Sequence, residues 1–219
     1  MANLAQMKLM EGLDGFLLVD KPAGIAFASV VKAIKRKFNL VKVGHGGSLD
    51  AQASGLVVVL IGDANRFVDR VMGADRAYTG TMTFGATTDT GDAQGRPEAV
   101  GRTVPAEELK GDVFLSEPRF AAIRREGTAE YEVVETGEHP EQLGHVYRFE
   151  FNGGDFTLKA TKGVLPRSLA RELGATLVSL RRTEVGRFQV KDAVAFDRLL
   201  TLEPSEFAKA VLPLGAALA

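Results

Sequence analysis

Gly44-His45-Gly46-Gly47-Ser48-Leu49-Asp50-Ala51-Gln52-Ala53-Ser54-Gly55, followed at once by Leu56-Val57-Val58-Val59-Leu60-Ile61, is the stretch on which the reading of this chain turns. Four glycines, one histidine and one carboxylate lead into six apolar residues that read as a buried strand. The loop therefore packs against the core with few large side chains in its way, as active-site loops do. Three familiar glycine-rich motifs fail on it. A phosphate-binding loop ends in Gly-Lys-Ser/Thr, a dinucleotide fingerprint needs glycine where Leu49 stands, and the nucleophile elbow would need glycine where Asp50 stands. The candidate nucleophile is the aspartate. Taken alone, Asp50 reads more readily as a turn or helix-capping residue.

Outward from the loop, Gly15 to Asp20 reads as a strand closed by Lys21-Pro22-Ala23-Gly24, with Pro22 fixing φ in the turn. Ser29 to Phe38 reads as an amphipathic helix, with Val30, Val31, Ile34 and Phe38 on one face and lysines on the other. A second helix is expected from about Ala64 to Met72. Over 77–84 the alternation predicts a strand with Tyr78, Gly80, Met82 and Phe84 on one side. From Thr87 to about Gly111, threonine, aspartate, glycine and proline predict a long surface loop and a short helix, a length of irregular chain that implies work to do. Strands follow at 129–136 and 146–151, joined by an acidic His-Pro turn, and Asn152-Gly153-Gly154-Asp155 turns into a further strand at 156–160. A helix begins near Pro166 and stops at Gly174, Leu177 to Thr183 is a strand, and the tail from Ala193 reads as helical and apolar.

The 219 residues, 45% hydrophobic and 25% charged, suffice for a substantial core, and no run approaches a membrane span or a signal peptide. A cytoplasmic, non-membrane protein is expected. Without cysteine there is no disulfide or thiol chemistry, and with three histidines (His45, His139, His145) no metal centre is expected. A net charge of −1 and a pI near 6.3 give no overall pull toward nucleic acid. Charge is nevertheless segregated. Lys32, Lys35, Arg36, Lys37 and Lys42 form one basic cluster and Arg181, Arg182 and Arg187 another, while Glu126, Glu130, Glu132, Glu135, Glu138 and Glu141 make one segment acidic, read as a solvated face.

The loop resembles the Gly-His-Thr-Gly-Thr-Leu-Asp-Pro-x-Ala-x-Gly signature of the TruB-type pseudouridine synthases. Gly15-Phe16-Leu17-Leu18-Val19-Asp20-Lys21-Pro22-Ala23-Gly24 is similar to the family's opening strand and turn, and Arg76-Ala77-Tyr78 to its Lys-x-Tyr. Phe84 to Gly95 resembles Gly-x-x-Thr-Asp-Thr-x-Asp-x-x-Gly, Arg167 to Gly174 resembles Arg-Ser-Leu-Ala-x-Asp-Leu-Gly, and Leu180 to Phe188 resembles Leu-Arg-Arg-Thr-x-x-Gly-x-Phe. These segments stand in order over roughly 15–195.

The resemblance implies an α+β pseudouridine synthase fold, a central mixed, mostly antiparallel sheet flanked by helices, forming a single catalytic domain over 1–219 without the C-terminal PUA domain of bacterial relatives. It implies a cofactor-free isomerisation of the T-loop uridine of tRNA by a monomer, with the T-arm stem-loop as partner. Asp50 matches the catalytic aspartate, Arg167 the arginine that would keep it ionised in a pocket, and Tyr78 the active-site tyrosine that stacks on the base. His45 matches the histidine beside the flipped nucleotide, and Leu180 the apolar wall for uracil. Lys21 is a candidate backbone-ordering group, and the two basic clusters become candidate phosphate contacts. Leu165 stands where the family commonly has a pocket tyrosine and is assigned an apolar contact. The family's Thr-Ser after the first turn is Ala26-Phe27, the proline after the aspartate is Ala51, and two loop threonines are Gly46 and Ser48. Rival readings are a catalytically weak tRNA-binding or tRNA-folding protein of the same fold, and a synthase for another RNA.

Overall fold

The computed structural model describes residues 10, 12–101, 103–116, 120–124, 131–135 and 141–217. The chain packs as two compact units, Met1–Tyr78 with Arg181–Ala219, and Thr79–Leu180.

In the first unit, β1 (Gly15–Lys21) is buried at every position except the half-buried Asp20. α1 (Phe27–Lys37) buries Phe27, Val30 and Ile34 and ends at Phe38 with three basic residues in its last turn, where they face the negative end of the helix dipole. Asn39 takes a left-handed φ of 50°, and the bonds Leu40 N–H to Lys35 O (3.0 Å) and Asn39 N–H to Arg36 O (3.4 Å) close the helix end. β2 (Val43–His45) and β3 (Ser54–Ile61) flank the central loop. The helix expected over 64–72 divides into a 3-10 turn, Gly62–Phe67, and α2 (Val68–Gly73). Asn65 accounts for the tighter start, donating its side-chain amide to Leu60 O (3.3 Å) and Gly62 O (2.8 Å). β4 (Arg76–Phe84) then carries the chain out of this unit.

The second unit holds β5 (Thr87–Thr88), β6 (Pro97–Glu98), β7 (Gly111–Ser116), β8 (Phe120–Arg124), β9 (Tyr131–Glu135), β10 (Glu141–Asn152), β11 (Asp155–Ala160) and α3 (Pro166–Glu172). β12 (Ala175–Val185) leads back to the first unit. Its strands run β12-β4-β11-β10-β7. The hairpin at Asn152-Gly153-Gly154-Asp155 is as expected, with Asn152 paired to Asp155 and φ 63° at Gly153. The strand at 129–136 is β9, which pairs with β8 alone, while the His-Pro turn and Glu126, Glu130 and Glu138 lie outside the described residues. Tyr78 and Met82 are buried as the alternation requires, but Phe84 is 48% exposed and packs its ring against Phe151. The alternation ends with the strand.

The chain finishes in the first unit with β13 (Phe188–Gln189), β14 (Val194–Ala195), α4 (Phe196–Leu199), α5 (Pro204–Ala210) and β15 (Val211–Leu212). The expectation of a helical tail is corrected here. β14 and β15 are two-residue strands, too short for any periodicity to show, and both hydrogen-bond to β1. Strand order in this unit is β14-β1-β3-β12, with β2 on β3 and β13 on β12. β3 is flanked on both sides, antiparallel to β1 and parallel to β12, so it reads as a continuous apolar run. Phe207 of α5, fully buried, stacks on Phe38 with ring centroids 3.6 Å apart. The whole is an α+β fold with a mixed, mostly antiparallel sheet.

Ala26 caps α1 without a side-chain hydrogen bond, which leaves first-turn N–H groups without that partner. Ala26→Ser is expected to raise stability by about 1 kcal/mol. Urea denaturation of the two proteins measures it, and an unchanged midpoint refutes the missing cap as a weakness.

Candidate active site

Between β2 and β3 the loop has no regular structure, so its backbone groups need other partners. Arg182 supplies them from β12. Only 1% exposed, it donates Nε to Leu56 O (2.8 Å), Nη1 to Ser48 O (2.8 Å) and Nη2 to Gly47 O (3.2 Å). The Tyr78 side chain lies within hydrogen-bonding reach of the same guanidinium. Burial draws its guanidinium below the ordinary arginine value, an effect that Tyr78 and Asp50 oppose and Arg76 reinforces. Gly55, at φ 104°, lets β3 approach closely enough that a Cβ there would collide with the Arg182 backbone. Gly47, at φ 117°, leaves room for the Arg76 guanidinium, which a Cβ would meet at 2.8 Å. Arg76 itself is buried and donates to Ala74 O (2.9 Å) and Met72 O (3.0 Å).

On the other side of Asp50, the Ala51 carbonyl accepts from Gly24 N–H (2.8 Å) and from Lys21 Nζ (3.1 Å). Lys21 is fully buried at the end of β1, opposite Gly55 in the β1–β3 register, and donates also to Pro22 O and Ile25 O, each at 2.9 Å. Burial lowers its ammonium to about 8; Asp50 pulls it upward and Arg182 adds to the fall. Asp50 thus hangs between two anchored peptides, Ser48 and Ala51, within electrostatic reach of both cations. The expectation of a buried carboxylate is corrected, since Asp50 is exposed. Its backbone is fixed while its side chain stands at the rim of the loop, where water reaches it.

Tyr78 is 6% exposed, and its hydroxyl meets the guanidinium that holds the loop. His45 is half-buried, accepts Gly47 N–H at Nδ1 (3.3 Å) and packs against the edge of Phe27, ring centroids 4.6 Å apart. The first unit therefore brings together Asp50, Tyr78 and Lys21 around Arg182, with His45 on the same loop.

Arg167, Leu165 and Leu180 belong to the second unit. Leu165 is the half-buried cap of α3, Arg167 lies in its first turn with Nη1 donating to Thr90 O (3.4 Å), and Leu180 is buried on β12. The Thr88–Gly95 segment on which Arg167 rests is held by its own side chains. Thr88 donates to Asp92 O (2.6 Å), Thr90 to the Asp92 carboxylate (2.8 Å), and Arg96 N–H to that of Asp89 (2.8 Å). The long loop expected there is accordingly ordered without long strands.

Two of the three arginines in the second basic cluster, expected as phosphate contacts, are otherwise engaged. Arg182 is too buried to reach solvent, and Arg181 forks onto Asp20 at 3.0 and 2.7 Å. The available signal was alternation, since Leu180 and Arg182 share the buried face of β12.

The family model for TruB family pseudouridylate synthases, N-terminal domain, matches residues 35–152. The chain belongs to the TruB family. The tRNA pseudouridine synthase B of Opitutus terrae is 33% identical over 92% of this chain and 93% of its own length, and that of Aquifex aeolicus 34% identical over 92% and 78%. Among solved structures, a chain in the crystal structure of a Cbf5-Nop10-Gar1 complex matches 96% of this TruB-family chain with a TM-score of 0.66 and 25% identity. The match spans 63% of that chain, under two thirds of its length. Among the described residues of this TruB-family protein no helix is long and apolar enough to cross a membrane.

Lys21 gives a signed pH dependence. The folded protein holds its proton less tightly than the unfolded chain, whose lysine titrates near 10.5, so the stability due to Lys21 is lowest below pH 8 and rises as pH climbs from about 8 to 10.5. The stability of wild type relative to Lys21→Met should therefore increase between pH 7 and pH 10 in urea denaturation; a flat difference contradicts it.

Proposed function

We propose that this protein is a tRNA pseudouridine synthase that isomerises the T-loop uridine through Asp50, its two units acting as one catalytic domain. The observation carrying this reading is the pairing of a fixed, exposed aspartate with a buried tyrosine on one guanidinium, in a chain of the TruB family. Relatives bearing the name tRNA pseudouridine synthase B, aligned over most of both chains, support tRNA as the substrate. The reaction breaks the N1–C1′ bond of uridine, turns the base and joins C5 to C1′; the C5 proton leaves and N1 regains one, so no cofactor is needed. Asp50 serves either as nucleophile at C1′ or as the base that opens a glycal-type intermediate. Tyr78 stacks on the uracil and stands as the group that handles the C5 proton.

The uridine must leave the folded loop, at a cost of a few kcal/mol that stacking in the pocket offsets in part. His45, on the same loop as Asp50, is assigned to the extruded nucleotide by the family resemblance. The roles of Arg167 as a cation for the aspartate, and of Leu165 and Leu180 as apolar contacts, rest on the family resemblance. The proposed setting is the cytoplasm, with the protein acting as a monomer on the T-arm.

Tritium release from C5-labelled uridine in an unmodified tRNA transcript tests the reading. Wild type should release label, Asp50→Asn should lose release almost completely while still binding tRNA, and a transcript with cytidine in place of the T-loop uridine should release none from that site. Binding of tRNA by wild type without release would favour the RNA-binding reading.

A further inference from the structure

Arg182 is the largest fully buried side chain among the described residues, and its guanidinium engages groups around Asp50 and Tyr78. Burying a guanidinium carries a desolvation penalty that its hydrogen bonds only offset, so for stability alone an apolar side chain would serve as well. Arg182 instead spends its donors on three separate pieces of chain. Nε fixes the start of the buried strand at Leu56, Nη1 and Nη2 fix the Ser48 and Gly47 carbonyls just before Asp50, and the same planar group meets the Tyr78 side chain on β4. A planar fork fixes the directions of its partners relative to one another, which a lysine ammonium does not.

We infer that Arg182 is a positioning residue that couples Asp50 to Tyr78, setting the carboxylate and the phenol in one frame through a single rigid guanidinium. The inference rests on the proposed roles of those two residues. It assigns Arg182 no contact with substrate: at 1% exposure it acts only through the loop carbonyls and the tyrosine. Arg76, the neighbouring buried arginine, bonds the Met72 and Ala74 carbonyls and lies outside this frame.

The test is a cycle of Arg182→Lys, Tyr78→Phe and the double variant, read by single-turnover tritium release and by tRNA affinity. Arg182→Lys keeps a cation and loses the fork. It should slow release about 100-fold, the scale of a misplacement of about 1 Å at a reacting centre, with tRNA affinity unchanged. In the Tyr78→Phe background the same substitution should cost much less, because the frame it would disturb is already broken. Independent, multiplying effects, or an Arg182→Lys protein with wild-type release, overturn the inference.

A second measurement needs no change at Arg182. In Tyr78→Phe, exchange of the Arg182 guanidinium protons should quicken relative to wild type; equal protection in wild type and variant overturns the coupling. Failure of the functional reading looks different: wild type itself releases no tritium, or Asp50→Asn releases as much as wild type.

Discussion

A charge buried in the first unit must be satisfied, and the way Arg182 is satisfied orders much of what surrounds it. Its guanidinium lies between β3 and the loop that precedes it, and the carbonyls it binds belong to Gly47, Ser48 and Leu56. Removing one partner of such a set leaves a charged donor unpaired in a low dielectric, which is strongly destabilising, so the loop cannot drift without cost. The glycines follow from this constraint. Gly55 has no Cβ because the Arg182 backbone occupies the space, and Gly47 has none because the Arg76 guanidinium does. A loop that looks flexible in composition is held by the hydrogen bonds of Arg182, with the Arg76 guanidinium packed close to Gly47.

Lys21 closes the other end. The β1–β3 register sets it opposite Gly55, and its ammonium reaches the Ala51 carbonyl, the turn carbonyls of Pro22 and Ile25, and the field of Asp50. Three donors meet three acceptors, so a fully buried ammonium is hydrogen-bonded to capacity. Its lowered pKa is the residual cost of that burial. Asp50 therefore owes its position to backbone anchors on both sides, while its own side chain stays exposed.

The sequence carried the elements best where packing is two-sided or chemistry is local. The run Leu56–Ile61, the hairpin at Gly153 and the helix between Pro166 and Gly174 were all legible, because burial, turn geometry and capping act within a few residues. The tail was not, since β14 and β15 exist only by pairing with β1, more than 170 residues away in sequence. The site divides in the same way. Asp50, Tyr78 and His45 stand in motifs that name them, and the fold places all three in the first unit. Arg182 looked like one cation in a basic cluster, and its inward face shows only through the strand alternation that begins at Leu180.

The exposure of Asp50 changes the electrostatic account of the site. A pocket carboxylate was expected; here the residue is exposed and water reaches it. Any group that covered the loop would displace that water, and interactions with nearby charges strengthen as the local dielectric falls. Lys21 and Arg182 already stand within electrostatic reach, held by bonds to backbone that the substrate does not touch. Charges fixed in advance require no reorganisation at the moment of reaction. The same buried cations that hold the loop by its carbonyls are thus the charges nearest its aspartate, so anchoring the loop and setting the field around Asp50 fall on the same two side chains.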